Sequence, residues 1–328
     1  MNGSALVVGG AGYIGSHMAK MLAQSGHEVI ILDNLSTGFR DAARHGRLIE
    51  GDLADQALLD RIFAEDDIAA VLHFAALSQV GESMREPARY YRNNVANTQN
   101  LLDAMLRHGV RRFIFSSTAA IFGDPEAPLI DEQHPQRPIN PYGRSKRMVE
   151  EMLVDYDSAY SLRSVCLRYF NAAGADPEGE LGERHYPESH LIPLVLQAAS
   201  GRRDRIAIYG NDYSTPDGTC IRDYIHVWDL CSVHLLALEH LLADGESDAF
   251  NLGNGTGFSV QEVIDTARQV TGKTIPSLVQ KRRPGDPAVL VTDSAKARTT
   301  LGWAPRFDTL DTIIAHAWEW ESKKGAAW

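Results

Sequence analysis

The chain has 328 residues, of which 44% are hydrophobic and 23% charged, so it can bury one large or two smaller globular cores. Its formal net charge of −11 argues against general affinity for nucleic acids or anionic membranes, and any phosphate-bearing ligand must be held by local groups. The scattered cysteines Cys166, Cys220 and Cys231 indicate neither a disulfide framework nor a zinc site, and no metal site is predicted.

The N-terminal segment MNGSALVVGGAG has too short an apolar run for a secretory signal. No stretch of the chain approaches the ~20 apolar residues that a membrane-spanning helix requires. We therefore expect a cytoplasmic protein without a membrane partner.

The N-terminal half alternates short apolar strands with helices, the first helix ending at Ser25 and Gly26. The predicted strands lie in the segments ALVV, HEVIILDN, RLIEGDL, AAVLHFAA, RRFIFSST and RSVCLRYFN. Nearly continuous apolar strands separated by helices are typical of a parallel sheet covered on both faces. The predicted fold class is α/β, a doubly wound parallel sheet of the Rossmann type.

The composition changes after Asn171, where Gly, Pro, Glu and His become frequent. Residues 1–171 are predicted to form a nucleotide-binding domain. Residues 221–247 contain a strand and a helix that return to it, and residues 172–328 mainly form a smaller C-terminal lobe that binds the substrate. Two later segments, VQEVIDTARQV and DTIIAHAWEW, are predicted helices of that lobe.

A glycine-rich turn joins the first predicted strand to its helix. It contains Gly9, Gly10, Gly12 and Gly15, a spacing that satisfies both G-x-x-G-x-x-G and G-x-G-x-x-G. Glycines there permit a tight turn and a close approach of the backbone to a pyrophosphate, which the helix N-terminus attracts. The turn predicts a dinucleotide site, although glycines that merely pack a helix on a strand would look the same.

Two aspartates follow the second and third predicted strands. Asp33 lies about 20 residues beyond the glycine turn, where a carboxylate binds the ribose hydroxyls of a dinucleotide. Its charge would repel a 2′-phosphate, so NAD is favoured over NADP. Asp52 follows the third strand and could accept a hydrogen bond from the adenine edge, or be an ordinary loop residue.

The segment INPYGRSK places a phenol and an ammonium one helical turn apart. Tyr142 and Lys146 share one helix face, so a nearby positive charge could favour the phenolate and turn a weak base into a useful one. The end of the fifth predicted strand supplies Ser116, Ser117 and Thr118 at the sheet edge where parallel sheets bind ligands. This set predicts proton removal from a sugar hydroxyl.

A series of motifs runs along almost the whole chain, namely GGAGYIGS, ILDN, HFAA, YYRNNV, FSSTAAIFG, PYGRSK, LRYFNAAG, GTCIRDYIHVWDL and RRPGD. In these motifs and their order the chain resembles the UDP-galactose 4-epimerases, members of the extended short-chain dehydrogenase/reductase superfamily. This resemblance implies Tyr142 as base, Lys146 as its electrostatic partner and nicotinamide-ribose ligand, and Thr118 as the neighbouring hydroxyl.

The resemblance also implies a reaction. The family takes a hydride from C4 of a UDP-hexose, rotates the 4-keto sugar and returns the hydride to the opposite face. NAD is regenerated in each turnover and stays bound. A homodimer is expected on the same ground.

The matching motifs assign the remaining site residues. The implied cofactor-binding residues are Gly9, Gly12, Tyr13, Ile14, Gly15, Asp33, Asn34, Asp52, Leu53, Phe74, Ala75, Asn93, Ser116, Tyr142, Lys146 and Phe170. The implied substrate-binding residues are Thr118, Tyr142, Asn171, His190, Leu191, Arg222, Tyr224, Arg283, Asp286 and Leu290. Arg222 and Arg283 would hold phosphates, for which guanidinium groups are suited.

Four positions depart from the family pattern. Val8 replaces a frequent threonine before the glycines, and Ser78 replaces a lysine found in some members near the nicotinamide ribose. His190 lies where asparagine commonly meets the substrate. Leu290 is intermediate between the tyrosine of hexose-specific members and the small residue of members that accept N-acetylated sugars.

Three other functions compete with this interpretation. Nucleotide-sugar 4,6-dehydratases need an acidic pair after the strand-end hydroxyl, where this chain has Ala119 and Ala120. A 4-epimerase of UDP-pentoses or of UDP-N-acetylglucosamine would use the same residues and stays open. A non-catalytic NAD-sensing regulator is disfavoured because Tyr142 and Lys146 are both present.

Overall fold

A seven-stranded, all-parallel sheet is the largest element of the structure, a computed structural model that describes residues 3–283 and 286–323. In chain order the strands are β1 (Ser4–Val8), β2 (Val29–Asp33), β3 (Arg47–Glu50), β4 (Ile68–His73), β5 (Arg112–Ser116), β6 (Arg163–Tyr169), β7 (Asn171–Ala173), β8 (Ile206–Tyr209), β9 (Ile221–Arg222), β10 (Tyr224–His226), β11 (Asp248–Leu252), β12 (Phe258–Ser259), β13 (Ser277–Gln280) and β14 (Val289–Leu290). The central sheet has the order β11-β6-β5-β4-β1-β2-β3.

The helices connect these strands and cover them. They are α1 (Tyr13–Gln24), α2 (Gln56–Glu65), α3 (Val80–Arg85), α4 (Pro87–Tyr91), α5 (Asn97–Arg107), α6 (Pro141–Tyr160), α7 (Leu191–Ala199), α8 (Val227–Leu242), α9 (Val260–Thr271), α10 (Ala295–Thr300) and α11 (Leu310–Lys323). Short 3₁₀ turns lie at Arg40–Ala42 and Ala119–Ile121, and a π-helical turn at Arg92–Ala96. Among the described residues, no helix combines the length and apolar character needed to cross a membrane.

Alternate residues of the inner strands are buried on opposite faces of the sheet, whereas the edge strand β3 is partly exposed. In β1, Val7 packs with α1 and α8, whereas Leu6 and Val8 pack with α2, α5 and α6. Because successive side chains of a strand point to opposite sides, a strand buried on both faces must be apolar throughout. The predicted doubly wound parallel sheet is confirmed.

The sheet has one strand more than the six predicted from sequence. β11 pairs in parallel with β6 at the sheet edge, with Phe250 opposite Leu167 and Leu252 opposite Tyr169. It follows α8, which packs with α1 on one face of the sheet. The segment that returns to the sheet therefore extends to Leu252, beyond residue 247. The short apolar run AFNL gives little local signal, because its burial comes from pairing with β6.

The remaining elements form a smaller layer beside the carboxyl end of the sheet. β7 pairs with β10, β9 lies between β12 and β14, and β8 pairs with β13. The helices α7, α9 and α11 share a separate apolar core that includes Val195, Ile264 and Ile313. This arrangement places β9 and β14 close to the residues that follow β5.

Candidate active site

The turn between β1 and α1 contains two glycines that the fold itself requires. Gly9 has φ 82°, and a Cβ there would lie 2.5 Å from the backbone nitrogen of Ala75. A Cβ on Gly15 would lie 2.1 Å from the carbonyl oxygen of Gly9. Neither position can hold a larger side chain without moving backbone.

Gly12, unlike Gly9 and Gly15, has space around it for a side chain, so close packing does not explain why it is a glycine. It is the N-cap of α1 with φ −82°, and a Cβ there would approach only the Gly9 oxygen, at 3.4 Å. The first turn of α1, which begins with Tyr13 and Ile14, contains no acidic residue. The missing side chain leaves the positive end of the helix accessible, as a pyrophosphate requires. These residues therefore fit the phosphates of NAD.

The predicted ribose carboxylate ends β2 beside this turn. Asp33 Oδ2 accepts a hydrogen bond from the N–H of Ala11 at 2.9 Å, and Oδ1 accepts one from Leu35 at 2.8 Å. Burial raises the pKa of Asp33, and these backbone donors oppose the rise. The carboxylate is thus fixed in orientation while linked directly to the glycine turn.

The predicted adenine-side residues lie next to Asp33. Asn34 Nδ2 donates to Asp52 Oδ2 at 2.6 Å, and the N–H of Ala54 donates to Oδ1 of the same carboxylate at 2.8 Å. Leu53 between them is buried. The ends of β2 and β3 therefore bring the three predicted residues together.

The end of β4 and the π-helical turn form another side of the predicted cofactor site. The N–H groups of Phe74 and Ala75 both donate to the Val8 oxygen, at 2.8 and 3.1 Å. Asn93 lies in the π-helical turn and donates to Asn94, whose own amide donates to Ser145 of α6 at 3.0 Å. π-helical turns are frequent at functional sites. This one ties the predicted cofactor residue Asn93 to the helix that carries Tyr142.

The start of α6 explains the segment INPYGRSK. The side chain of Asn140 caps the helix by accepting the N–H of Gly143 at 2.8 Å, and Pro141 occupies the first helical position. Asparagine caps and proline first turns are local signals that fix a helix start. They place Tyr142 in the first turn, facing the end of β5.

Lys146 is held between α6 and β5. Its ammonium donates to the Ser116 carbonyl oxygen at 2.7 Å and lies 4.7 Å from the centre of the Phe115 ring. Burial lowers the pKa of Lys146 to about 7, against an opposing effect of the nearby Glu150 carboxylate. The Lys146 ammonium therefore loses its proton more easily than that of an exposed lysine.

The phenol of Tyr142 does not show the lowered proton affinity expected from the sequence. Burial raises the pKa of Tyr142, and hydrogen bonding with Thr118 opposes that rise. The Thr118 hydroxyl oxygen also accepts the N–H of Ala120 at 3.1 Å. The hydroxyl proton of Thr118 is therefore free to be donated to the phenol oxygen. Burial therefore outweighs the opposing effect of the hydrogen bond with Thr118.

A buried ion pair below these residues was missed by the sequence analysis. Ser117 Oγ donates to Glu150 Oε1 at 2.5 Å, and Arg168 Nε donates to both Glu150 oxygens at 3.1 Å. The network joins α6 to β5 and β6. Its only sequence signal is an acidic residue one helical turn after Lys146.

The predicted substrate residues meet on the smaller layer. Asn171 Nδ2 donates to the Asp223 oxygen at 2.9 Å, and β7 pairs with β10 so that Asn171 lies opposite the buried Tyr224. Arg222 forms an ion pair with Asp286, and it is paired in register with Leu290. Arg222 and Asp286, predicted to bind a phosphate and the uridine ribose, are thus adjacent.

Leu290, the predicted specificity position, connects this layer to the residues predicted to be catalytic. Leu290 and Phe170 pack against a small apolar cluster that contains Ala119 and Phe122, just after Thr118. A substrate that contacts Arg222 would therefore extend past Leu290 towards Tyr142.

Two predicted substrate residues make other contacts in this structure. The Arg283 guanidinium lies 4.0 Å from the centre of the Tyr209 ring. His190 is the N-cap residue of α7, which begins at Leu191, and its Nδ1 lies 2.5 Å from Glu183 Oε1. His190 therefore belongs to a cluster of polar residues that the sequence analysis did not identify.

The fold and this site define a Rossmann-type dinucleotide-binding protein with a tyrosine–lysine pair at the sheet edge. The profile of the NAD dependent epimerase/dehydratase family matches residues 5–253, and the chain belongs to that family. The resemblance found in the sequence motifs is confirmed, as are the NAD-dependent class and the epimerase relationship.

Individual relatives are similar over nearly their full length. The chain is 55% identical to a UDP-glucose 4-epimerase of Halalkalibacterium halodurans, covering 97% of this chain and 95% of that protein. A UDP-glucose 4-epimerase structure from Brucella ovis in complex with NAD is 52% identical with a TM-score of 0.94, covering 96% of this chain and 97% of the other. A UDP-Glc/GlcNAc 4-epimerase from Campylobacter jejuni is 45% identical with a TM-score of 0.85, covering 98% and 99%.

Proposed function

We propose that this protein interconverts UDP-glucose and UDP-galactose as an NAD-dependent 4-epimerase. The observation that carries the proposal is the set of Tyr142, Thr118 and Lys146 at the carboxyl edge of the sheet, beside a glycine turn suited to a dinucleotide. Relatives named UDP-glucose 4-epimerase support it, at 55% identity for the one from H. halodurans.

The proposed chemistry assigns a proton to the protein and a hydride to the cofactor. When bound, NAD would take the hydride that leaves C4 of the sugar and return it to the opposite face of the same carbon. Tyr142, as the phenolate, takes the proton of the C4 hydroxyl as the C4 carbonyl forms. It returns the proton after the 4-keto sugar has rotated in the site. Thr118 donates to the reacting oxygen, and Lys146 favours the phenolate by its charge. The cationic nicotinamide adds to that effect, against the influence of burial.

The remaining residues are proposed to bind the two ligands. Gly12 and the first turn of α1 would hold the pyrophosphate of NAD, and Asp33 its adenosine ribose. Arg222 and Arg283 would hold the substrate diphosphate, with Asp286 on the uridine ribose. Residues 1–171 with the returning segment are proposed as the cofactor domain, and the later residues mainly as the substrate lobe.

The sugar specificity is proposed from Leu290. A leucine side chain leaves more room than a tyrosine and less than a small residue, so hexoses without an N-acetyl group fit best. The similarity to a C. jejuni enzyme named for both UDP-Glc and UDP-GlcNAc favours the second as an alternative substrate. UDP-pentoses, which lack C6, are a further alternative.

One experiment tests both the activity and the sugar. Purified protein is offered UDP-glucose, UDP-N-acetylglucosamine and UDP-xylose separately, and kcat/KM is compared. We expect UDP-glucose to have the highest value. No turnover of any of the three would contradict the proposed activity, and a higher value for another sugar would reassign the substrate.

The base is tested by removing one oxygen atom. Tyr142→Phe is expected to lower kcat by roughly 10²–10⁴-fold, the usual contribution of a general base, while NAD stays bound. Tyr160→Phe is the matched control, because Tyr160 lies on the same helix with 53% of its surface exposed. Wild-type turnover in Tyr142→Phe would exclude the phenol as the base.

We also propose a cytoplasmic homodimer. The short helix α3 and the helix α6 carry exposed apolar side chains, Val80 and Met84 on the first and Met148 and Val154 on the second. Exposed apolar residues on adjoining helices are a common basis for association. The three cysteines are free and buried, in keeping with a reducing compartment.

A further inference from the structure

Four residues in the loop between β7 and α7 bring two imidazoles and two carboxylates together. We call Glu183, His185, Glu188 and His190 the His–Glu cluster. The side chains of Glu183 and Glu188 are only 5% and 7% exposed, whereas the two imidazoles are 29% and 50% exposed. Buried carboxylates need positive partners, because an unpaired charge is expensive to remove from water.

The polar atoms of the four side chains lie close to one another. One nitrogen or oxygen of each residue lies within 4.8 Å of the others. The Nδ1 atom of His185 is 3.2 and 3.6 Å from the carboxylates of Glu183 and Glu188, and that of His190 is 2.5 and 3.6 Å from the same two groups. Four ligands at zinc bond lengths would lie about 3.3 Å from one another.

We propose that the His–Glu cluster binds one divalent transition-metal ion, of which zinc fits best. Two imidazole nitrogens and two carboxylate oxygens are a donor set that zinc accepts. The cluster contains none of Tyr142, Lys146 and Thr118, and the inference does not depend on the proposed epimerase activity. One member, His190, is also a residue that the sequence motifs place near the substrate.

The two negative charges of the cluster can be balanced by an ion as well as by protons. Without an ion, two carboxylates can be neutralised only if both imidazoles are protonated, although their ring centres are 5.1 Å apart and would repel each other. A divalent ion supplies the same two charges with both imidazoles neutral. The buried Nδ1 of His185 makes no hydrogen bond among the described residues, despite its closeness to Glu183. Its lone pair would be used by the ion.

The surrounding contacts hold the ligands in place. Glu188 Oε1 accepts the N–H groups of Ser189 and His190 at 2.7 and 2.9 Å, which leaves Oε2 for the ion. The backbone oxygen of Glu183 accepts the indole N–H of Trp320 at 3.2 Å. Such outer contacts orient metal ligands and raise affinity.

The cluster lies against the cofactor turn. The ring of His185 is 6.4 Å from that of Tyr13, edge to face, and the Tyr13 hydroxyl donates to Gly174 at 2.7 Å. An ion there would brace the loop before α7 against the start of α1. Its role would be structural, because all four protein ligands would complete the coordination of zinc.

A second group of carboxylates also lies close together, but it is already paired with a lysine. Asp176, Glu178 and Glu180 also lie close together. The ammonium of the buried Lys20 already contacts all three, at 2.7, 2.6 and 3.0 Å. This group therefore has its own cation and provides a matched control.

The test measures metal on the full-length, untagged chain. We expect elemental analysis to find about one zinc per chain, removable by a strong chelator and restored by Zn²⁺ alone. Co²⁺ added to the stripped protein should give the intense visible absorption of a tetrahedral site. Glu183→Gln and His190→Asn should each weaken Zn²⁺ binding by roughly 100-fold or more, with Glu180→Gln unchanged.

Two results would overturn the proposal. One is a wild-type chain that neither contains nor takes up stoichiometric Zn²⁺ or Co²⁺. The other is equal Zn²⁺ affinity in wild type and His190→Asn. His190 is half exposed, so that variant should keep its circular dichroism spectrum even if the buried Glu183→Gln fails to fold.

Discussion

Lys146 illustrates how one buried side chain can link stability to pH. Its pKa is lowered from the ordinary 10.5 to about 7 by burial, with Glu150 and Cys166 opposing the change. Between these values the unfolded chain holds a proton that the folded chain has lost, so this residue makes stability rise with pH. Below pH 7 both states are protonated and the slope disappears.

Lys146→Met removes this proton linkage. In the absence of NAD, the free energy of unfolding of the variant should exceed that of wild type by the largest amount near pH 6.5. This difference should decrease by about 1 kcal/mol per pH unit up to pH 9.5. Urea unfolding at several pH values measures the difference. Lys273→Met, at an exposed loop position, should leave the pH slope unchanged. An identical slope in wild type and Lys146→Met would show that the lysine stays charged in the folded protein.

Neighbouring glutamates on α6 should differ sharply in their contribution to stability. Glu150 is 7% exposed and paired with Arg168, whereas the side chain of Glu151 is 60% exposed and paired with Arg147. Glu150→Gln should lower the free energy of unfolding by about 3–5 kcal/mol, because the buried guanidinium loses its counter-charge. Glu151→Gln should cost at most about 0.5 kcal/mol. Equal losses in denaturant unfolding would contradict the importance of burial.

The turn between β1 and α1 separates glycines that the fold needs from one that the ligand needs. Gly15→Ala should destabilise the protein by about 1–3 kcal/mol without any cofactor, because the added Cβ meets the Gly9 carbonyl. Gly12→Ala should cost about 1 kcal/mol or less, since alanine is merely a poorer N-cap, yet lower NAD affinity at least ~10-fold by filling the phosphate position. Thermal unfolding of the stripped proteins and NAD titration separate the two effects.

Either of two outcomes of these measurements would contradict the roles assigned to Gly12 and Gly15. If Gly12→Ala retained NAD as tightly as wild type, the first turn of α1 would not be the phosphate site. If Gly15→Ala were as stable as wild type, the turn would be more adaptable than its close contacts indicate.

Elements with local signals were predictable from sequence, and elements held by distant contacts were not. The start of α6 is fixed by Asn140 and Pro141, which are visible in the sequence, and the β1 turn by its glycines. β11 was missed because its burial depends on pairing with β6. The ion pair between Arg222 and Asp286 joins residues 64 positions apart, and no periodicity indicates it.

The His–Glu cluster shows a different reason for an incomplete prediction. Its residues occur as E-x-H-x-x-E-x-H within eight positions, so the spacing was present in the sequence. The scattered cysteines indicate no zinc site, and no metal site was predicted from the sequence. A loop without helical or strand periodicity gives no indication of which way its side chains point, so only the structure shows that all four converge.

At the scale of the whole molecule, the distribution of exposed apolar residues predicts how copies associate. Val80 and Met84 lie one turn apart on α3, and Met84 is 62% exposed. Met148 and Val154 are 42% and 69% exposed on α6, which packs beside α3. The net charge of −11 disfavours non-specific association of copies, so a dimer requires a defined apolar contact.

A charge placed on α6 should therefore dissociate the proposed dimer. Val154→Glu buries an unpaired carboxylate in the contact, and we expect the dimer dissociation constant to rise at least ~100-fold. Sedimentation velocity over a range of protein concentrations measures it. Val279→Glu is the control, because Val279 is 48% exposed on β13 of the smaller layer and should not alter association. A wild-type chain that sediments as a monomer at all concentrations would exclude the dimer, and an unchanged constant in Val154→Glu would place the contact on another face.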